Sequence, residues 1–249
     1  MDLRGALNRY LKNFSTAFSF VLLLVFVLPF ILGKEGEFLA SSFVSSATVF
    51  IDYGFINEPL LNSALLLALA FVFLFCYSVL VCLMVLAVRG DLSNVKMNNY
   101  LAEKIGKFAF RYFRFLALFT IIASIAGAIL IAYGLPIWVL NLLLMFLSAS
   151  FLFLPQTIVV DEESLGSSIF RNWDFISKNM FSFVQVLALG VVSLFLLQLI
   201  EFALDYFFFV GSFVSLLIGV VFLVPFIEVV KTQIYMHRFG LIKSYHPSG

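Results

Sequence analysis

Few residues in this chain have the capacity for chemistry. Glu162 and Glu163 stand side by side, His237 and His246 follow far downstream, and Cys76 and Cys82 share one apolar run. A glutamate pair can bind a divalent metal and activate water, provided histidines reach it from neighbouring elements. Here both histidines sit in the C-terminal tail, beyond the last apolar run, so the pair lacks the ligands for that reaction. The six helical steps between the cysteines rotate one about 240° from the other, which suits neither a disulfide nor a shared metal. Both read as small apolar side chains. The sequence carries no nucleophile–base pair, metal-ligand set or phosphate-cradling glycine loop. It therefore reads as a non-enzyme without cofactor or metal.

The elements that must position these residues are dictated by composition. Of 249 residues 63% are hydrophobic and 12% charged, and phenylalanine alone occurs 33 times. No soluble core of this length buries that much apolar surface, so lipid must solvate much of it. Apolar runs of spanning length fall at 16–32, 60–88, 115–133, 137–154, 181–200 and 210–230. A span needs roughly 20 residues, and backbone groups in lipid leave long unalternating runs no structure but the helix. The expected fold is all-α: one integral membrane domain, residues 1–249, with six transmembrane helices. The first run is followed by Gly33, Lys34 and Glu35 instead of a small-residue cleavage site, so it reads as a span and not a signal peptide.

Charge sidedness agrees with six crossings. Of the 15 lysines and arginines, all but Lys34 fall in the N-terminus, the second and fourth connections, or the C-terminal end. The opposite side carries Glu35, Glu37, Asp52, Glu58, Glu201 and Asp205. Positive-inside bias then places both termini in the cytoplasm of a cell whose plasma membrane the chain crosses. The net charge of +1 gives no reason to expect nucleic acid.

Before each odd-numbered span lies a cytoplasmic stretch with helical periodicity, at 2–14, 92–114 and 162–179. Leu3, Leu7, Leu11, Phe14 and Phe18 follow steps of four, four, three and four; Met97, Leu101, Ile105, Phe108 and Tyr112 repeat them, as do Leu165, Ile169, Trp173, Ile176 and Met180. The ends of spans four and six also match: Pro155 precedes Val159-Val160-Asp161, and Pro225 precedes Val229-Val230-Lys231. Any amphipathic helix shows such steps. Their registration against the spans points to three repeats of an amphipathic helix plus a transmembrane hairpin.

The second stretch sets a basic stripe, Lys104, Lys107, Arg111 and Arg114, beside its apolar one. A helix lying among headgroups has that design, with lipid phosphates neutralising the cations. Asp161, Glu162 and Glu163 suit the positive end of the third helix's dipole, and Trp173 suits an interfacial anchor. Gly211, Ser215 and Gly219 form a small-residue seam that lets helices approach closely, inside the bundle or between copies. Glu228 and Lys231 have the spacing of an interfacial ion pair, and Gln198, Glu201 and Asp205 share the outer end of span five. The expected span centres, near Leu24, Leu74, Ser124, Phe146, Val191 and Val220, are uncharged.

The string FLPQTIVVDEESLGSSIFRNWDFISKN, with the ending VPFIEVVKTQIYMHRFG, resembles the membrane domain found fused to glycerophosphoryl diester phosphodiesterases and its archaeal stand-alone relatives. The resemblance implies a six-span fold and no activity, since the chain has neither room for the enzyme's barrel nor its histidine and glutamate metal set. The functional expectation is a non-enzymatic membrane protein: a scaffold, lipid-organising element or partner subunit, with anionic headgroups and a protein partner or second copy as candidate contacts. The alternative is a transporter or channel for a lipid or neutral solute.

Overall fold

The computed structural model describes residues 2–23, 25, 60–93, 98–134, 137–208 and 211–237, all helical apart from short connections. In chain order the helices are α1 (Leu3–Lys12), α2 (Phe14–Phe18), α3 (Leu60–Ser93), α4 (Asn98–Ala132), α5 (Ile137–Ser150), α6 (Leu154–Val160), α7 (Leu165–Lys178), α8 (Met180–Phe208), α9 (Gly211–Ile218) and α10 (Val224–His237). A π-helical segment, Gly219–Leu223, joins α9 to α10 in one rod.

Among the described residues five stretches are long and apolar enough to cross a membrane: Ala68–Ser93, Lys104–Gly127, Leu142–Val160, Met180–Tyr206 and Phe213–His237. The expected first span begins inside the shorter apolar helix Phe14–Leu23; residue 24, residues 26–32 and the outer loop 33–59 lie outside the described residues. At 1.5 Å per residue α3 and α4 are each about 50 Å long, well beyond a hydrocarbon core of about 30 Å.

Three of the boundaries that differ from the sequence expectation bear on the site. The stretch 92–114 is no separate interfacial helix over its whole length, because α4 runs unbroken from Asn98 into the span. With no proline or glycine pair near 115, nothing ends it. The fourth span does not stop at 154. Pro155 breaks α5 at residues 151–153, and the chain resumes as α6 to Val160. The last helix continues seven residues past 230, to His237.

The three periodic stretches are also used differently. In α1 and α2 the stripe Leu3, Leu7, Leu11, Phe14 and Phe18 faces outward, 39–58% exposed, while Ala6, Tyr10 and Ala17 face the protein. In α4 the described members turn inward: Phe108 and Tyr112 are buried and Ile105 is half-buried. In α7 the buried face is Ser168, Asn172 and Phe175, while Trp173 is exposed, as is Met180 at the start of α8. Helical periodicity marks an apolar face without saying whether protein or lipid covers it.

Helix α10 is the axis of the core. Most of its residues are buried, against α1, α3, α6 and α8, with Phe226, Gln233 and Ile234 half-buried. Phe20, Phe108, Tyr112, Phe153 and Phe175 are fully buried in the same core, with Tyr235 of α10 itself.

Candidate functional site

Two prolines set up the site. Pro225 has no N–H to give the Val221 carbonyl four residues back, and the chain widens into the π segment just before it. The Tyr10 hydroxyl of α1 donates to that carbonyl at 3.1 Å. The Tyr10 ring packs edge-on against Phe222 and Phe226, with centroids 5.1 Å and 6.3 Å away. Burial pushes the Tyr10 phenol up from its ordinary value, so it remains a donor. Pro155 has a parallel effect. Where α5 stops, Asn172 Nδ2 of α7 donates to the Ser150 carbonyl at 2.7 Å, and its Oδ1 accepts the Phe153 N–H at 3.1 Å. Asn172 is fully buried and stands in for the missing helical turn. In both places a helix expected to be interfacial supplies the side chain that closes a broken span.

Beyond these breaks lies a buried polar cluster. Lys231 Nζ and Glu228 Oε1 are 2.7 Å apart, and both side chains are 0% exposed. Gln156 Nε2 of α6 donates to Glu228 Oε2 at 2.8 Å and lies 3.4 Å from Thr232 Oγ1. The Thr232 hydroxyl donates to the Glu228 carbonyl at 2.7 Å. Tyr77 and Cys82 of α3 and Tyr112 of α4 lie within electrostatic range of the Glu228 carboxylate. The pair expected at a wet interface is thus enclosed by four helices.

Next to the cluster the α6–α7 connection forms an ionic hub. Glu162 adopts a left-handed backbone (φ 58°) that turns its carboxylate between Arg89 Nη2 at 3.0 Å and Lys104 Nζ at 2.8 Å. Arg89 Nη1 also donates to the Val159 carbonyl at 2.7 Å. Arg111 Nη1 donates to the carbonyls of Glu162 and Glu163, at 3.2 Å and 2.5 Å. Arg171 bridges Asp161 and Glu163, and the Tyr235 hydroxyl donates to Asp161 Oδ2 at 2.6 Å. Its hydrogen bond to Asp161, with the nearby Asp161 and Glu163 charges, raises the Arg171 guanidinium further above its ordinary value. The acidic run therefore engages cations of α3, α4 and α7, while Ser164 is the residue that precedes α7.

Comparison with known proteins finds no matching family model, no matching curated sequence and no matching solved structure.

The sequence-derived candidates divide in this geometry. Lys104 and Arg111 turn toward the hub, whereas Lys107 and Arg114 are exposed. The seam Gly211, Ser215 and Gly219 is buried. Its upper part is the turn of the α8–α9 hairpin. A side chain at Gly211 would meet the Glu201 carbonyl and the Asp205 carboxylate, the Gly211 N–H donates to Asp205 Oδ1 at 2.6 Å, and the Ser215 hydroxyl donates to the Leu197 carbonyl at 3.3 Å. Cys82 is buried and Cys76 half-buried, both as free thiols. Among the described residues no group of three or more His, Cys, Asp or Glu side chains is arranged to hold a metal. Gln156, Asn172, Tyr10 and Tyr235 carry no signal of their own in the sequence, and Arg89 counts there only toward charge sidedness. The prolines were the available signal: each leaves backbone groups that some polar side chain must reach.

Proposed function

We propose that the protein is a non-catalytic, multi-pass component of the cytoplasmic membrane whose cytoplasmic face organises anionic lipid. The observation carrying this reading is the three-sided character of α1 and α2. Leu3, Leu7, Leu11, Phe14 and Phe18 face outward, Ala6, Tyr10 and Ala17 face the bundle, and Arg4, Asn8, Lys12 and Ser15 share the remaining exposed side. Apolar surface of that shape, flanked by cations, suits the boundary between headgroups and acyl chains. Lys12 pairs with Asp91 at the end of α3, at 2.5 Å, which ties α1 to the end of the bundle that carries the hub. Exposed Lys107 and Arg114 add charge at the same end. Six spans, cytoplasmic termini and kinship with the membrane domain fused to glycerophosphoryl diester phosphodiesterases belong to the same proposal.

The test is the lipid retained when the full chain is extracted with a membrane-solubilising polymer. Anionic lipid should be enriched over the bulk membrane. Replacing Lys107 and Arg114 with Gln should reduce the enrichment by up to about fivefold per charge, since each cation near the surface contributes about 1 kcal/mol. A retained pool with the bulk composition, unchanged in the variant, argues against the proposal.

A second reading, passage of a lipid or neutral solute, is favoured by one observation. The α5–α6 break and the π segment each directly precede the buried Gln156–Glu228–Lys231 cluster, and interrupted helices around polar groups are a recurrent design in transporters.

A further inference from the structure

The Gln156 amide is the one buried polar group of the cluster whose chemistry is incomplete. Its Nε2 faces two acceptors, Glu228 Oε2 and Thr232 Oγ1. Those contacts fix the amide's orientation, because turning it over would set its oxygen against the Glu228 carboxylate. Oε1 therefore points away from the ion pair. It is buried there and accepts no hydrogen bond among the described residues. Gln156 itself is 0% exposed, so bulk water does not complete it.

A carbonyl oxygen stripped of solvent and left without a donor is costly, and proteins complete such groups with a side chain, a buried water or a ligand. The ion pair decides which kind of ligand. Glu228 and Lys231 neutralise one another at 2.7 Å, so the cluster has no net charge to attract an ion. What remains is an acceptor needing a donor. Access also has a structural basis, because α6 begins at a helix break one turn before Gln156, and α10 follows a π segment. Both helices begin at an irregularity within about a turn of the site.

We infer that Gln156 Oε1 marks an occluded binding site for a neutral hydrogen-bond donor, water or the hydroxyl of a small uncharged solute, beside α6. The site does not depend on the lipid-organising reading, and either can fail without the other.

The decisive experiment is a density map of the full chain in lipid nanodiscs, without added solute, at a resolution that shows ordered water. The wild type should show a feature at hydrogen-bond distance from Oε1. An oxygen-sized feature identifies water and an extended one identifies a co-purified solute, and both support the site. Thr232→Val removes a hydroxyl beside Nε2 and leaves Oε1 intact, so the feature should persist. Gln156→Met keeps the length of the side chain and removes the acceptor, so the feature should disappear. No feature in the wild type, or one that survives unchanged in Gln156→Met, overturns the inference. If Gln156→Met does not fold, the wild-type and Thr232→Val maps still decide.

Discussion

Breaking the Glu228–Lys231 pair should cost far more than its spacing on a helix surface suggests. At 2.7 Å the two charges attract by about 6 kcal/mol if the effective dielectric is about 20. Desolvating two ions consumes much of that gain, so the pair itself contributes little net stability. Removing one partner is different. Lys231→Met leaves a carboxylate in a site with 0% exposure, and Glu228→Met leaves an ammonium there. Each single variant should lose about 3–5 kcal/mol, whereas Glu228→Met combined with Lys231→Met should lose less than either alone. Reversible unfolding in mixed micelles, read as a double-mutant cycle, measures the coupling. Single losses below about 1 kcal/mol, the value of an exposed pair, would refute the enclosed site. So would losses that simply add in the double variant.

Other outcomes follow from the closures and the hub. Tyr10→Phe keeps the ring against Phe222 and Phe226 but withdraws the donor from the Val221 carbonyl, and Asn172→Leu withdraws both bonds across the α5–α6 break. Each should lower stability by about 1–3 kcal/mol or more in a thermal melt, reflecting buried backbone groups left unpaired. Glu162→Ala and Glu162→Gly remove the same carboxylate from Arg89 and Lys104, yet Gly accepts a φ of 58° without strain. The Gly variant should therefore be about 1 kcal/mol the more stable in the same melt.

Much of the architecture was legible because apolar run length and charge sidedness are coarse, additive signals. The one-sided cations correspond to an end of the bundle where Lys12, Arg89, Lys104, Arg111 and Arg171 all find acidic side chains or carbonyls. The spacing of Glu228 and Lys231 correctly paired them. It could not reveal their burial, because that depends on α6, more than 70 residues away, reaching them through Gln156. Likewise Lys104 looked like a headgroup contact until the left-handed turn at Glu162 brought a carboxylate beside it. The α1 and α4 stripes show a deeper limit. Lipid tails are as apolar as leucine, so the same spacing serves an outward face at Leu7 and an inward one at Phe108. The shared prolines carried more information than the stripes. Pro155 and Pro225 each open a helix, and α7 and α1 respectively bring the polar side chain that closes it.

The central claim, that the outward face of α1 lies in the cytoplasmic leaflet, is tested most directly by depth. Spin labels at Leu7, Leu11 and Asn8 of the full chain, in liposomes containing anionic lipid, can be compared for access to apolar oxygen and to a water-soluble relaxer. The account predicts labels at Leu7 and Leu11 that oxygen reaches and the aqueous reagent does not, with Asn8 showing the reverse. Equal aqueous access at all three positions would contradict it.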